Sequence, residues 1–201
     1  MPIRGQIYAL DLGQSAGFCK GPPGRPPVSG GIRLYRPNEG IGRGFGNLIA
    51  FLNEEWTAER PELVVAARPF SLQAASAVGN SPDAVYSSYG FRAIVRGMAD
   101  RFGIRYHEIH EATARKIFTG RGRAGSRAET KQMVLDRCHL LQFFPRSCRD
   151  DNRADAVCIH FAACHEYGSA VFKELFLFGE GQTEAKRARK TRRSRPRAGL
   201  V

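Results

Sequence analysis

Long hydrophobic runs are missing from this chain of 201 residues, and no stretch approaches the roughly 20 uninterrupted apolar residues needed to cross a bilayer. The opening MPIRGQIYALDLG lacks the apolar core and small-residue cleavage site of a secretory leader. Both absences lead us to expect a soluble, intracellular protein. Cysteine is sparse and unpaired in pattern: Cys19, Cys138, Cys148, Cys158 and Cys164 are odd in number and include no CxxC. That excludes a disulfide framework and leaves reduced thiols as the expectation. Cys158 and Cys164 neighbour His160 and His165, yet their spacings do not gather four zinc ligands on one side of a helix. No internal repeat is visible.

Acid is absent from the end of the chain. Residues 185–201, AKRARKTRRSRPRAGLV, hold eight Lys or Arg and no Asp or Glu, so the formal +12 of the whole falls to +4 over residues 1–184. Such a segment cannot bury enough apolar area to offset its ordering entropy, and we expect a disordered basic tail over 181–201 after one domain spanning 1–180. A polybasic arm attracts any polyanion through counterion release, and a solubilising or targeting role remains the plainer alternative.

What is present reads as alternating strands and helices. Residues 6–11 form an apolar strand ending on Asp11, followed by a turn over 13–17. The glycines and prolines of residues 21–27 make a loop, and 31–35 a returning strand. Phe45, Leu48, Ile49, Leu52 and Trp56 recur at helical spacing over 42–59, and Pro61 marks the end of that helix. Residues 62–67 make a short buried strand stopped by Pro69. Val85, Phe91, Ile94, Val95, Met98 and Phe102 define a helix over 84–102, with Gly103 as its stop. A strand over 105–109, a loop over 119–127, a helix over 128–143 and a last helix from about 151 past 165 complete the series. Strands first and helices last argue a mixed sheet covered by helices, an α/β domain.

Chemistry concentrates in a few acids. Asp11 stands where a central strand ends, the rim at which open α/β sheets bind ligands, although capping the next turn is an equally simple role. In the segment RDDNRADA, Asp151 and Asp155 are four residues apart and share a helix face, where their repulsion calls for a cation, either an arginine or a metal. Asp150 or Asp151 as an N-cap is the sober alternative. Acids from a first strand and a last helix make an oxygen-rich set suited to Mg²⁺ or Mn²⁺, and two such ions suit phosphodiester hydrolysis.

In order and spacing, IYALDLG, VVAARPF, ATARKIFTGRGRAG with ETKQMV, and RDDNRADAVCIHFAA resemble the RuvC-like crossover junction endodeoxyribonucleases, the phage-type members above all. The resemblance implies an RNase H-like fold with a mixed five-stranded sheet flanked by helices. It also implies a homodimer, two Mg²⁺ (or Mn²⁺) ions in a competent site, and paired nicks across a four-way (Holliday) DNA junction in a bacterial or phage-infected cell. Asp11 matches the family's first aspartate and Asp155 its last. The acid before the last falls three or four residues earlier, so Asp151 fills that place here while Asn152 occupies the other. One departure is large: where the family has a glutamate two residues before the proline, this chain has Ala67, whose methyl cannot bind metal. Impaired cleavage with retained DNA binding follows as the expectation, and a non-catalytic branched-DNA-binding protein on the same scaffold is the alternative.

Basic residues supply a second surface. GRGRAG over 120–125 formally satisfies GxGxxG, but no buried strand precedes it and no suitable acid follows, so a dinucleotide site is a poor reading. A loop presenting Arg121, Arg123 and Arg127 to phosphates fits better, with Lys131, Arg115 and Lys116 extending it; a plain solvated loop is the competing reading. Phe70, after the central strand, is a candidate for stacking on an exposed base or for simple core packing.

Overall fold

The computed structural model describes residues 2–69 and 81–168. Phe70 and the whole basic tail lie outside the described residues. A five-stranded sheet in the order β3-β2-β1-β4-β5 organises the chain. It is built from β1 (Ile7–Asp11), β2 (Ser15–Gly21), β3 (Val28–Arg33), β4 (Leu63–Ala67) and β5 (Arg105–Ile109). β1, β2 and β3 pair antiparallel through short turns, whereas β4 lies parallel to both β1 and β5, each crossover being made by a helix. The sheet is therefore mixed and flanked by helices, as expected. The first turn is tighter than expected, since β2 already begins at Ser15, and β3 starts three residues earlier, at Val28.

Strand alternation divides the core into two. Tyr8, Leu10, Val64 and Ala66 point to one face, where α1 (Ile41–Ala58) contributes Leu48, Leu52 and Trp56 and α2 (Pro82–Arg101) contributes Phe91, Val95 and Met98. Ile49, counted on the apolar stripe of α1 from its spacing, is 42% exposed instead. Ile7, Ala9, Val65, Ala67 and Ile109 point to the other face, covered by α3 (Glu111–Thr119), α4 (Arg127–Leu140) and α5 (Asp151–Tyr167). Both α1 and α2 begin without help from a long apolar run; α2 starts at the Ser81 N-cap, whose hydroxyl accepts from the Ala84 amide.

The short helix α3 was not expected from the sequence. Its nine residues are too few for a periodic stripe to show, and it ends on Gly120, whose φ of 82° provides a left-handed stop. α4 opens with a full capping box between Ser126 and Glu129 and stops at Leu140, short of the expected 143. α5 is apolar almost all round, with Ala154, Ala156, Ala162 and Ala163 among its buried residues. Such a helix belongs inside, and its small side chains let it lie close on the sheet. The approach is closest at β2: a Cβ on Gly17 would stand 2.0 Å from the Asn152 carbonyl oxygen, so glycine is required there.

Candidate active site at the rim of the sheet

β1, β4 and β5 run parallel and end at the same rim, bringing Asp11, Ala67 and Ile109 together in the sheet. Gly17 is the register partner of Asp11 on β2 and is also the point where the first turn of α5 touches the sheet. The result places Asp155, one turn further along that helix, within reach of the Asp11 charge. Burial first, then the charge of Asp155, then that of Glu111 push the Asp11 carboxyl well above the ordinary carboxylate range, while Arg92 and Arg115 pull it back in part. Asp155, with a side chain only 14% exposed, is likewise raised, mainly by burial, against the lowering influence of Arg115. These two acids come from distant segments of the sequence, and the charge of one acts on the other.

Asp151 behaves differently. It forms an ion pair with Lys131 on α4. Desolvation pushes its carboxyl up, but the Lys131 hydrogen bond and charge, with backbone amides at the start of α5, outweigh that and hold it below its ordinary value. The capping role falls to Asp150, whose Oδ1 accepts from the Arg153 amide at 3.0 Å. The sequence reading left that choice between Asp150 and Asp151 open.

Two members of the site were missed. Glu111 opens α3 directly after β5, and its Oε2 accepts from Arg115 Nη2 at 2.7 Å, while the same nitrogen lies 3.7 Å from Asp155 Oδ1. Arg92, on the buried side of α2, donates from Nε to the Ala67 carbonyl oxygen at 2.5 Å and from Nη1 to the Ser88 carbonyl at 2.6 Å. It fixes a positive charge beneath the acids. A signal for Glu111 existed in HEATAR, an acid at a helix start four residues before an arginine; nothing marked Arg92, which sits among apolar neighbours at helical spacing.

The donor set is carboxylate oxygen, the chemistry that hard divalent ions take. Among the described residues, no three acid, histidine or cysteine side chains stand at the spacing of one ion's ligands. Arg115, lying between Glu111 and Asp155, is the cation that sets their separation, and Lys131 does the same for Asp151. The donors thus fit Mg²⁺ or Mn²⁺ in kind, with Asp11 and Asp155 as the residues that would hold it and Asp151 one turn away. Ala67 is fully buried and offers no oxygen from its side chain.

Of the basic residues singled out, Lys116, Arg121, Arg123 and Arg127 are exposed around the end of α3 and the start of α4. Arg115 and Lys131 are half-buried and already engaged with acids. The GRGRAG segment joins two helices and follows no strand, so it is not a dinucleotide turn. No helix among the described residues is long and apolar enough to cross a membrane.

No protein-family profile matches the chain, and no curated protein matches it in sequence. Solved structures do match. The fold is that of the RuvC-like resolvases, an RNase H-like sheet with helices on both faces. The Thermus thermophilus RuvC structure superposes with a TM-score of 0.60 at 17% identity, covering 79% of this chain and 93% of that one. T. thermophilus RuvC in complex with a Holliday junction substrate gives 0.60 at 14% identity, over 79% and 92% of the two chains. The yeast mitochondrial Holliday junction resolvase Ydc2 gives 0.51 at 13% identity, over 78% and 76%.

Proposed function

We propose that the chain is a RuvC-type endonuclease that binds four-way and other branched DNA as a homodimer. On this reading it uses Mg²⁺ or Mn²⁺ and cleaves slowly because Ala67 stands where a glutamate is expected. The observation that carries the reading is the buried pair Asp11 and Asp155 at the rim of a resolvase-like sheet, where the charge of Asp155 helps hold the Asp11 carboxyl above the ordinary carboxylate range. The junction-bound T. thermophilus RuvC supports branched DNA as the substrate of this fold.

Divalent ions bound here supply Lewis acidity to the attacking water and the departing oxygen of a phosphodiester. The chain's own part is to hold and orient. Asp11, Asp151 and Asp155 provide the oxygens, and Arg92 pins the end of β4 while adding a fixed positive charge. Lys116, Arg121, Arg123 and Arg127 position phosphates without reading bases, and Arg115 and Lys131 join them when released from their acids. Phe70 stacks on an unpaired base. The dimer seam lies along α2, where Tyr86 is 63% exposed. Such a protein works in the cytoplasm of a bacterial or phage-infected cell, where DNA is accessible.

A second reading is favoured by Ala67 together with the Arg115 bridge: a branched-DNA-binding protein that keeps the scaffold without the chemistry. Nicking of a synthetic four-way junction in Mg²⁺ decides. The parent chain should bind with little cleavage, and Ala67→Glu should raise the rate by about 10²-fold or more, the scale lost when one electrostatic group leaves an active site. Silence of Ala67→Glu, with binding intact, points to the non-catalytic protein; rapid nicking by the parent rejects the impairment.

A further inference from the structure

We infer that Glu111 supplies to the divalent-ion site the carboxylate that Ala67 cannot, reaching in from the end of β5 instead of β4. This builds on the reading that Asp11 and Asp155 hold an ion, and it identifies a residue that neither the spacing nor the resemblance assigns.

The register is the first ground. Ala67 pairs side by side with Ile109 in parallel strands, and Glu111 follows Ile109 by two residues, so the neighbouring strand delivers a carboxylate to the rim where β4 delivers a methyl. Geometry is the second. One guanidinium nitrogen of Arg115 lies 2.7 Å from Glu111 Oε2 and 3.7 Å from Asp155 Oδ1, so a cationic group already sits between a carboxylate of α3 and one of α5. The third ground is the poor fit of that guanidinium. Arg115 Nε is buried and finds no hydrogen-bond partner among the described residues, a cost of about 1–3 kcal/mol for an orphaned donor. A metal ion presents no donors to satisfy.

Other acids do not reach. Glu62 lies at the opposite end of β4, held by the Gly5 amide and Arg105. Glu108 accepts from the Tyr106 hydroxyl at 2.8 Å and lies 3.8 Å from Arg68. An acid at a helix start pairing with an arginine four residues later also steadies a helix by itself. A purely helical role is indifferent to what stands at position 67, and a ligand role is not.

The full chain, Glu111→Gln, Glu111→Asp, Ala67→Glu, the double variant Ala67→Glu/Glu111→Gln and Asp11→Asn are compared for Mn²⁺ affinity by paramagnetic resonance, with thermal melts as a check on folding. We expect E111Q to weaken Mn²⁺ binding at least about tenfold, and E111D to keep most of it. With glutamate restored at 67, E111Q should cost less than about threefold, a non-additivity that helix stabilisation would not produce. If E111Q binds Mn²⁺ like the parent while D11N does not, Glu111 is no ligand and the nuclease reading stands. If neither the parent nor A67E binds Mn²⁺, the assignment and the metal reading fall together. Should A67E not fold, the ordering of parent, E111D, E111Q and D11N decides alone.

Discussion

At the scale of single residues, burial and the charges of Asp155 and Glu111 act on Asp11 in one direction, and the guanidiniums of Arg92 and Arg115 oppose them only in part. Because the folded-state pKa lies above the unfolded value near 3.9, any stability Asp11 contributes is complete at acid pH and is lost as pH rises through the folded value. At neutral pH the folded carboxyl holds its proton while the unfolded one is ionised, and that difference works against folding. Asp11→Asn keeps the shape and removes the charge, so we predict that it abolishes nicking and stabilises the fold by about 0.5–2 kcal/mol at pH 7. Calorimetric melts should show that gain shrinking toward pH 4, where the unfolded chain takes up the same proton. A lower melting temperature for the variant at pH 7 would contradict the picture of an under-compensated carboxylate.

Among elements, α5 against β2 is the contact that assembles the site. Gly17 lets the helix start lie on the strand, and a methyl there would meet the Asn152 carbonyl oxygen at 2.0 Å. Gly17→Ala should therefore push the start of α5 from the sheet, at a cost of roughly 1–3 kcal/mol in urea unfolding, and should weaken Mn²⁺ binding although it touches no carboxylate. Further along the same helix, His160 is buried and donates from Nε2 to the Gly21 carbonyl at 3.0 Å, and desolvation lowers its pKa to about 4. Between that value and 6.5 the unfolded chain takes up a proton that the folded chain refuses. Stability should accordingly fall on acidification through this window, by about 3 kcal/mol in total. His160→Gln, able to donate to the same carbonyl, should flatten the dependence; an unchanged slope would assign it to other groups.

At this scale the sequence was also most and least legible. The stripe of Leu48, Leu52 and Trp56 announced α1, whereas the capping box of Ser126 and Glu129 that opens α4 was recognised only in the structure. The helix carrying Glu111 stayed hidden because two turns give too short a sample of a 3.6-residue period. Concealing Arg92 was its setting, since a cation inside an apolar stripe looks like an interruption until its partners, the Ala67 and Ser88 carbonyls, are known.

For the whole molecule, charge is distributed unevenly: eight Lys or Arg stand in residues 185–201, beyond the exposed Arg121, Arg123 and Arg127. If both regions meet phosphates, log affinity for a junction should fall with log salt at about 0.9 per phosphate neutralised. A chain ending at residue 184 should bind more weakly at low salt and with a shallower slope, yet keep its preference for a junction over a linear duplex in competition binding. Loss of that preference would place junction recognition in the tail and not in the folded domain.

The sequence by itself determined the alternation that gives the sheet two buried faces, the acid at the end of the first strand, the acids on the last helix, and the alanine where a carboxylate was expected. Those features are local: they depend on residue type and on periods of two and of 3.6. Tertiary structure alone decided that the charge of Asp155 falls on Asp11 while Asp151 turns to Lys131, and that the helix opened by Glu111 starts just past the strand that lies beside Ala67. Strand order and the closeness of helix to sheet are long-range quantities, set by which faces bury each other, and no spacing along the chain encodes them directly.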